Sequence, residues 1–244
     1  LMVSRITIGM VGNEKHASTL NIKAETKKAI SNKANRRTCK QIRLQFFSDP
    51  FSPSSYMAGK ELQRLIRKYS GLVAVEHYMG GLIPLWELYR NNGISTHGDM
   101  VKHWQELGKR YKLTITGDVW LKDPPHSSFP ACIAFKAAQM QSAEKARLYL
   151  QRMQELLFLE NKNISKWKYL EKAAHEIQLD VGRLKMDIAS KARKDFEDDL
   201  IVAEKLGVGG FPTLIIKKRN GHMVVLEGYR DVAALEKKAA IDLT

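Results

Sequence analysis

Strand-forming sequence sits near the two ends of this chain and is almost missing from about Ser95 to Gly207. The first strand is IRLQFF, Ile42 to Phe47, where β-branched and aromatic residues fall on both faces, as a strand covered on both sides requires. It ends at Asp49-Pro50, and a helix is expected from Ser54 or Ser55 to about Tyr69. Met57, Leu62, Leu65 and Ile66 form the apolar stripe of that helix, and Lys60, Arg64, Arg67 and Lys68 turn outward. A second strand, LVAVEHYMGGL, closes at Gly80-Gly81. At the far end PTLIIKK and MVVLEG flank Arg219-Asn220-Gly221-His222; Asn-Gly between β-rich runs marks a hairpin, because both turn positions need positive φ. A last helix is expected over Val232 to Ala240.

The intervening block reads as helices. One lies near 96 to 111, DPPHSSFPACIAFKAAQMQ follows, and an amphipathic stretch runs from Ala143 to Leu159. Ser165 is placed to cap a helix over 166 to 178, and a final helix starts after Asp180 and runs nearly to Leu206, where Gly207 stops it. The order is strand, helix, strand, helical block, hairpin, helix. The first βαβ unit must make a parallel pair, and the hairpin adds two antiparallel strands to the same sheet.

With 244 residues and 44% hydrophobic content, the chain can bury a substantial core. No apolar run approaches the roughly 20 residues of a membrane span, and ITIGMVG near the start is too short and too glycine-broken for a signal-peptide core. A cytoplasmic location is the expectation. The net charge of +14 is unevenly placed: residues 1 to 40 hold nine Lys or Arg against Glu14 and Glu25, half of the total excess. No aromatic platform is interleaved with that basic segment, so specific nucleic-acid binding is not expected, and residues 1–40 read as a loosely ordered extension. The seven histidines and two cysteines show no metal-ligand spacing, and no metal is expected. Trp86, Trp104, Trp120 and Trp167 read as core or groove lining, the Asn-Ile-Ser at Asn163 as a helix start, and Asp49 as a turn residue before Pro50 or, alternatively, a buried polar group near that turn.

Two motifs carry a resemblance. SDPFSPSSY, Ser48 to Tyr56, follows the first strand and opens the first helix, and GVGGFPTLI, Gly207 to Ile215, leads into the third strand. Together they resemble the DsbA-like branch of the thioredoxin superfamily, whose first motif reads Asp-Pro-x-Cys-Pro-x-Cys and whose second holds a cis-proline. MGGLIPLW, PPHSSFPACIAFKAAQMQ and LLFLENKNIS look like the cytoplasmic predicted dithiol-disulfide isomerase group, which includes YjbH/SpxH-type adaptors. The resemblance implies an α/β, thioredoxin-like fold with a four-stranded mixed sheet and a large all-helical insertion. It divides the chain into a thioredoxin-like domain over 41–94 and 207–244 and a helical insertion over 95–206.

Carried over residue by residue, the resemblance puts Ser52 at the nucleophilic cysteine and Ser55 at the resolving cysteine, as the candidate catalytic positions, with Pro53 and Ser54 between them. Pro212 falls at the cis-proline, and Phe211, Pro212 and Thr213 join Pro53 and Ser54 as candidate substrate-binding residues. Thiol–disulfide exchange needs a thiolate attacker and a sulfur leaving group, and serine supplies neither. Cys39 precedes the first strand and Cys132 lies in the helical block, so neither cysteine repairs the loss. The expectation is a family member classed by resemblance with the protein-disulfide oxidoreductases or isomerases that does not itself exchange dithiols, with no required cofactor and a client protein or peptide as partner. SPSSY also resembles the motif of kappa-class glutathione transferases and 2-hydroxychromene-2-carboxylate isomerases, which implies glutathione plus a small substrate, with Ser52 facing the thiolate. A non-catalytic, protease-adaptor-like binding protein is the third alternative.

Overall fold

The computed structural model describes residues 42–89, 93–217 and 222–239. The basic segment with Cys39, and the Asn220-Gly221 turn, lie outside these residues. β1 (Ile42–Ser48) leads into α1 (Pro53–Lys68) and then β2 (Val73–Met79). A 3-10 turn (Trp86–Leu88) precedes seven helices: α2 (His97–Tyr111), α3 (Val119–Lys122), α4 (Phe129–Gln141), α5 (Ala143–Phe158), α6 (Trp167–Glu176), α7 (Val181–Ala189) and α8 (Ala192–Lys205). β3 (Thr213–Lys217), β4 (Met223–Glu227) and α9 (Val232–Ala239) complete the chain. The sheet order is β2-β1-β3-β4. β1 pairs parallel with β2, Phe46 opposite His77, and antiparallel with β3, Phe47 opposite Thr213; β3 and β4 pair antiparallel. This is a thioredoxin-like fold with helices inserted between β2 and β3.

Alternation along β1 explains its central position. Leu44 and Phe46 point to one face, where Ala58, Leu62 and Leu65 of α1 and Leu235 of α9 cover them. Phe47 points to the other, against Ile215 and Ala203 of α8. The helices build a larger core around Trp104, Trp120, Tyr149 and Phe158, and Phe51 of the β1–α1 turn and Tyr56 of the first turn of α1 are part of it. Trp86 belongs to this core and Trp167 packs against it, so the tryptophans serve packing. Among the described residues, no helix is long and apolar enough to cross a membrane.

Three local expectations change. Lys166, not Ser165, occupies the N-cap of α6, because the Ser165 hydroxyl donates to Asn163 Oδ1 at 2.5 Å. Asn163 itself is buried and donates to the Asp123 carbonyl, so its amide is spent inside the fold. The expected single helix after Asp180 is two: Asp180 caps α7 as expected, but the chain breaks at Ser190-Lys191, where the Ser190 hydroxyl donates back to the Met186 carbonyl.

Candidate functional site at the β1–α1 turn

The ends of β1 and β2 and the start of β3 converge at one edge of the sheet, where Gly80 N donates to Ser48 O at 2.8 Å. There the chain must leave the sheet and enter a helix within four residues. Ser52 makes this possible: it takes an extended conformation as N-cap of α1, and its Oγ accepts from Ser55 N at 3.1 Å. Pro53 follows at the first helical position, where no N–H is missed, so α1 begins earlier than expected from Ser54 or Ser55.

The Phe211-Pro212 peptide bond is cis, and this loop lies against the helix start. The Ser52 hydroxyl donates to the Phe211 carbonyl at 3.3 Å. Ser55 Oγ accepts from Asp49 N at 3.3 Å, and the Ser54 hydroxyl pairs with the Tyr111 hydroxyl at 2.8 Å. Thr213 Oγ1 donates to Gly210 O, and Pro212 O accepts from Gly228 N, both at 2.8 Å. Ser52 and Ser55 are 5% and 2% exposed, so both hydroxyls face protein. The structure therefore brings Ser52, followed by Pro53, to Phe211 of the cis-proline loop, while Ser55 turns back to Asp49 and Ser54 turns toward α2. Both recorded partners of Ser52 Oγ are backbone groups, an N–H and a carbonyl; neither is a general base that could activate it for acyl transfer.

Asp49 fills both parts read for it. Its carbonyl accepts from Ser52 N at 3.2 Å to close the turn, and its carboxylate is wholly buried and organises the loops behind the helix start. Oδ1 accepts from Phe51 N at 2.8 Å, and Oδ2 accepts from Leu82 N at 2.7 Å and from the Ser128 hydroxyl at 3.0 Å. The Cys132 thiol lies 3.6 Å from Oδ2. Burial pushes the Asp49 carboxyl above its usual range, against the pull of these hydrogen bonds. Burial first, and the Asp49 charge second, push the Cys132 thiol far up, so it stays protonated and cannot stand in for the absent redox pair. Phe211 is held from the β2 side: its ring occupies the space beside Gly80, where a Cβ would fall 2.2 Å from Cζ. Sequence reading missed the parts of Ser128, Tyr111 and Gly80; only Gly80 left a trace, as one of a glycine pair closing a strand. Among the described residues no cluster of His, Cys, Asp and Glu could hold a metal.

A βαβ unit whose helix start faces a cis-proline loop defines a thioredoxin-type domain. Residues 46–237 match the family model described as Thioredoxin, and the chain belongs to that family. A ClpXP adapter protein, SpxH of Halalkalibacterium halodurans, is 28% identical over 184 residues, covering 74% of this chain and 60% of the relative. The chain thus spans about three fifths of the length of the curated relatives it matches. Among solved structures, a candidate protein disulfide isomerase from Nitrosomonas europaea superposes with a TM-score of 0.69 at 16% identity, over 81% of this chain and 95% of that one. The cytosolic disulfide reductase DsbM from Pseudomonas aeruginosa, solved with GSH, has a TM-score of 0.60 at 21% identity, over 76% of this chain and 89% of its own. These likenesses establish the fold.

Proposed function

We propose that this chain is a thioredoxin-family binding protein of the cytoplasm that does not exchange dithiols and that grips a protein or peptide segment along the Pro212 edge, in a role like that of the ClpXP adapters. The observation that carries the reading is the Ser52 hydroxyl, which bridges Ser55 N and the Phe211 carbonyl where a dithiol enzyme holds its attacking sulfur. An oxygen so placed stiffens the helix start and the proline loop but offers no leaving group and no thiolate. The curated relatives named as adapters support a protein partner, with ClpXP the first to test.

The test has two arms on the full chain. Unmodified protein should reduce insulin no faster than a dithiothreitol blank, whereas Ser52→Cys/Ser55→Cys should gain turnover. Binding to purified ClpXP by interferometry should be saturable and change less than about threefold, under 1 kcal/mol, in Ser52→Ala. Robust insulin turnover by the unmodified chain, or no binding to ClpXP, overturns the proposal.

Glutathione is the second reading, favoured by one feature: Ser52 sits at the positive end of the 16-residue α1. Holding a thiolate would require its proton to leave the Phe211 carbonyl. Retention on glutathione resin that is lost in Ser52→Ala supports that reading, and absence of binding at millimolar glutathione ends it.

A further inference from the structure

The two edges of the sheet are finished differently. β2 is one edge, and the inserted helices answer its outward backbone: the His77 carbonyl accepts from Gln139 Nε2 of α4 at 3.2 Å, and Met79 N donates to Asp199 Oδ2 of α8 at 2.8 Å. β4 is the other edge. Gly228 N donates to Pro212 O at 2.8 Å, and hydrogen-bonded pairs alternate along an antiparallel ladder. Leu226 and Val224 therefore turn their backbone groups to β3, while Met223, Val225 and Glu227 turn theirs outward. Among the described residues no hydrogen bond answers those outward groups.

The side chains make the same edge adhesive. Leu226 is buried in the core shared with α1 and α9, but Met223 and Val225, on the opposite face of β4, are 55% and 53% exposed. Soluble sheets usually blunt such an edge with a proline, a bulge or a central lysine. β4, MVVLE, has none of these: its register with β3 runs without interruption, and its single charge, Glu227, stands at one end. Lys217 of β3 lies beside Met223 in the ladder and is the opposite charge at the other end. Among the described residues neither Lys217 nor Glu227 has an ion-pair partner.

We propose that β4 is the docking edge for a second copy of this chain, joined antiparallel to its own β4 about a two-fold axis at Val225, so that the two sheets become one. Only that centring gives every outward residue a partner: Val225 pairs with Val225 of the partner subunit, and Met223 pairs with Glu227 of the partner subunit. On the exposed face the two valines then meet, and Ile215, beside Val225 in the ladder, extends the apolar row into each copy. In the next row Lys217, Met223 and the partner's Glu227 fall in line. Two strand spacings, about 10 Å, separate the ends of that row, which a lysine and a glutamate side chain together span. The symmetry repeats the pair at the other end, and no like charges face each other across the junction. A strand pair this short buries less than an obligate interface does, so the dimer exchanges with monomer. This edge is separate from the β1–α1 turn, and the inference stands whether or not the chain acts as an adapter.

The test is sedimentation equilibrium of the full chain at about 0.15 M salt, which screens its net positive charge. A reversible monomer–dimer equilibrium is expected, with a dissociation constant between about 1 μM and 1 mM. Val225→Lys sets two ammonium groups against each other at the axis; at an exposed position it should keep Tm and weaken association about fivefold or more. Val225→Pro removes only an outward N–H, which an edge strand tolerates, and is the independent second variant with the same expected loss. Glu227→Lys should weaken association about threefold, and Lys217→Glu/Glu227→Lys should restore it, since the double variant exchanges the two ends of each charged row. Leu121→Lys, at a 64% exposed apolar position on α3, should change nothing, which separates the strand edge from general stickiness. Four results overturn the proposal: a chain that stays monomeric to about 1 mM, including one that takes only a client peptide at β4; a dimer unmoved by both Val225 variants; an equal loss in Leu121→Lys; or a double variant no better than Glu227→Lys.

Discussion

Burying a carboxyl as completely as Asp49 costs several kcal/mol unless hydrogen bonds replace the lost water. Two backbone amides, the Ser128 hydroxyl and the Cys132 thiol do so here, tying the β1–α1 turn to the loop after β2 and to the start of α4. The carboxyl titrates from 3.8 when unfolded and from a higher value when folded. Between those values the folded state holds more protons, so this group's contribution is fully present below 3.8 and declines as pH rises through the folded value. His77 works oppositely: held down to about 3, it favours the folded state above its ordinary 6.5 and loses that contribution as pH falls toward 3. Wild-type stability alone therefore does not isolate Asp49. The informative quantity is the difference from Asp49→Asn, which cannot titrate and turns an amide NH2 toward a donor. Urea unfolding should find the variant less stable by about 1–3 kcal/mol near pH 4, with the gap narrowing toward pH 8. A gap independent of pH would show that Asp49 titrates normally.

At the scale of elements, sequence patterns were most legible where a local signal and a tertiary one agreed. β1 and α1 announce themselves through a two-faced apolar run and a 3.6-residue stripe, and Asp180 caps α7 as its sequence context suggests. Helix ends were less legible because competing side-chain bonds decide them: Ser165 turns to Asn163, and Ser190 bonds back to Met186 within a continuous helical pattern. The serine pair was readable as chemistry from its place in the motif. Asp49 was legible only in part: its bond from Phe51 N is local, but its other donors come from residues 82, 128 and 132, and no spacing near position 49 reveals them. The β2–α2 connection supplies the corresponding test. Gly81 has φ of +63°, while Gly80 is small because the Phe211 ring takes its side-chain space. Gly80→Ala should displace that ring, since its far edge can rotate, and cost about 1–3 kcal/mol. The displaced ring should also change tyrosine and phenylalanine side-chain shifts around Tyr78, whose ring lies among the groups near Phe47 and Phe211. Full stability in Gly80→Ala would mean that the proline loop is not held by this contact.

Across the whole molecule, the sheet and the inserted helices are joined by a polar tie as well as by packing. α4 supplies Lys136, α8 supplies Asp199, and the carboxylate accepts both the ammonium at 2.9 Å and the Met79 backbone N–H at 2.8 Å. Both side chains are largely buried, so the pair has forfeited most of its hydration, and its value lies in each charge answering the other. Met79 ends β2, one residue before the glycine against which Phe211 packs, so the tie fixes the helical block at the edge that carries the candidate site. Nothing in the sequence links Lys136 to Asp199, which stand on different helices 63 residues apart. Removing one member should therefore cost far more than removing both. Asp199→Ala leaves a buried ammonium and an unpaired amide, and urea unfolding should show a loss of about 3–5 kcal/mol. Lys136→Met/Asp199→Leu restores apolar contact and removes both charges, so it should recover most of that loss, short by about 1–3 kcal/mol for the Met79 N–H still lacking an acceptor. If Asp199→Ala lost under 1 kcal/mol, or if the double variant were less stable than the single, the insertion would be held to the sheet by apolar packing alone.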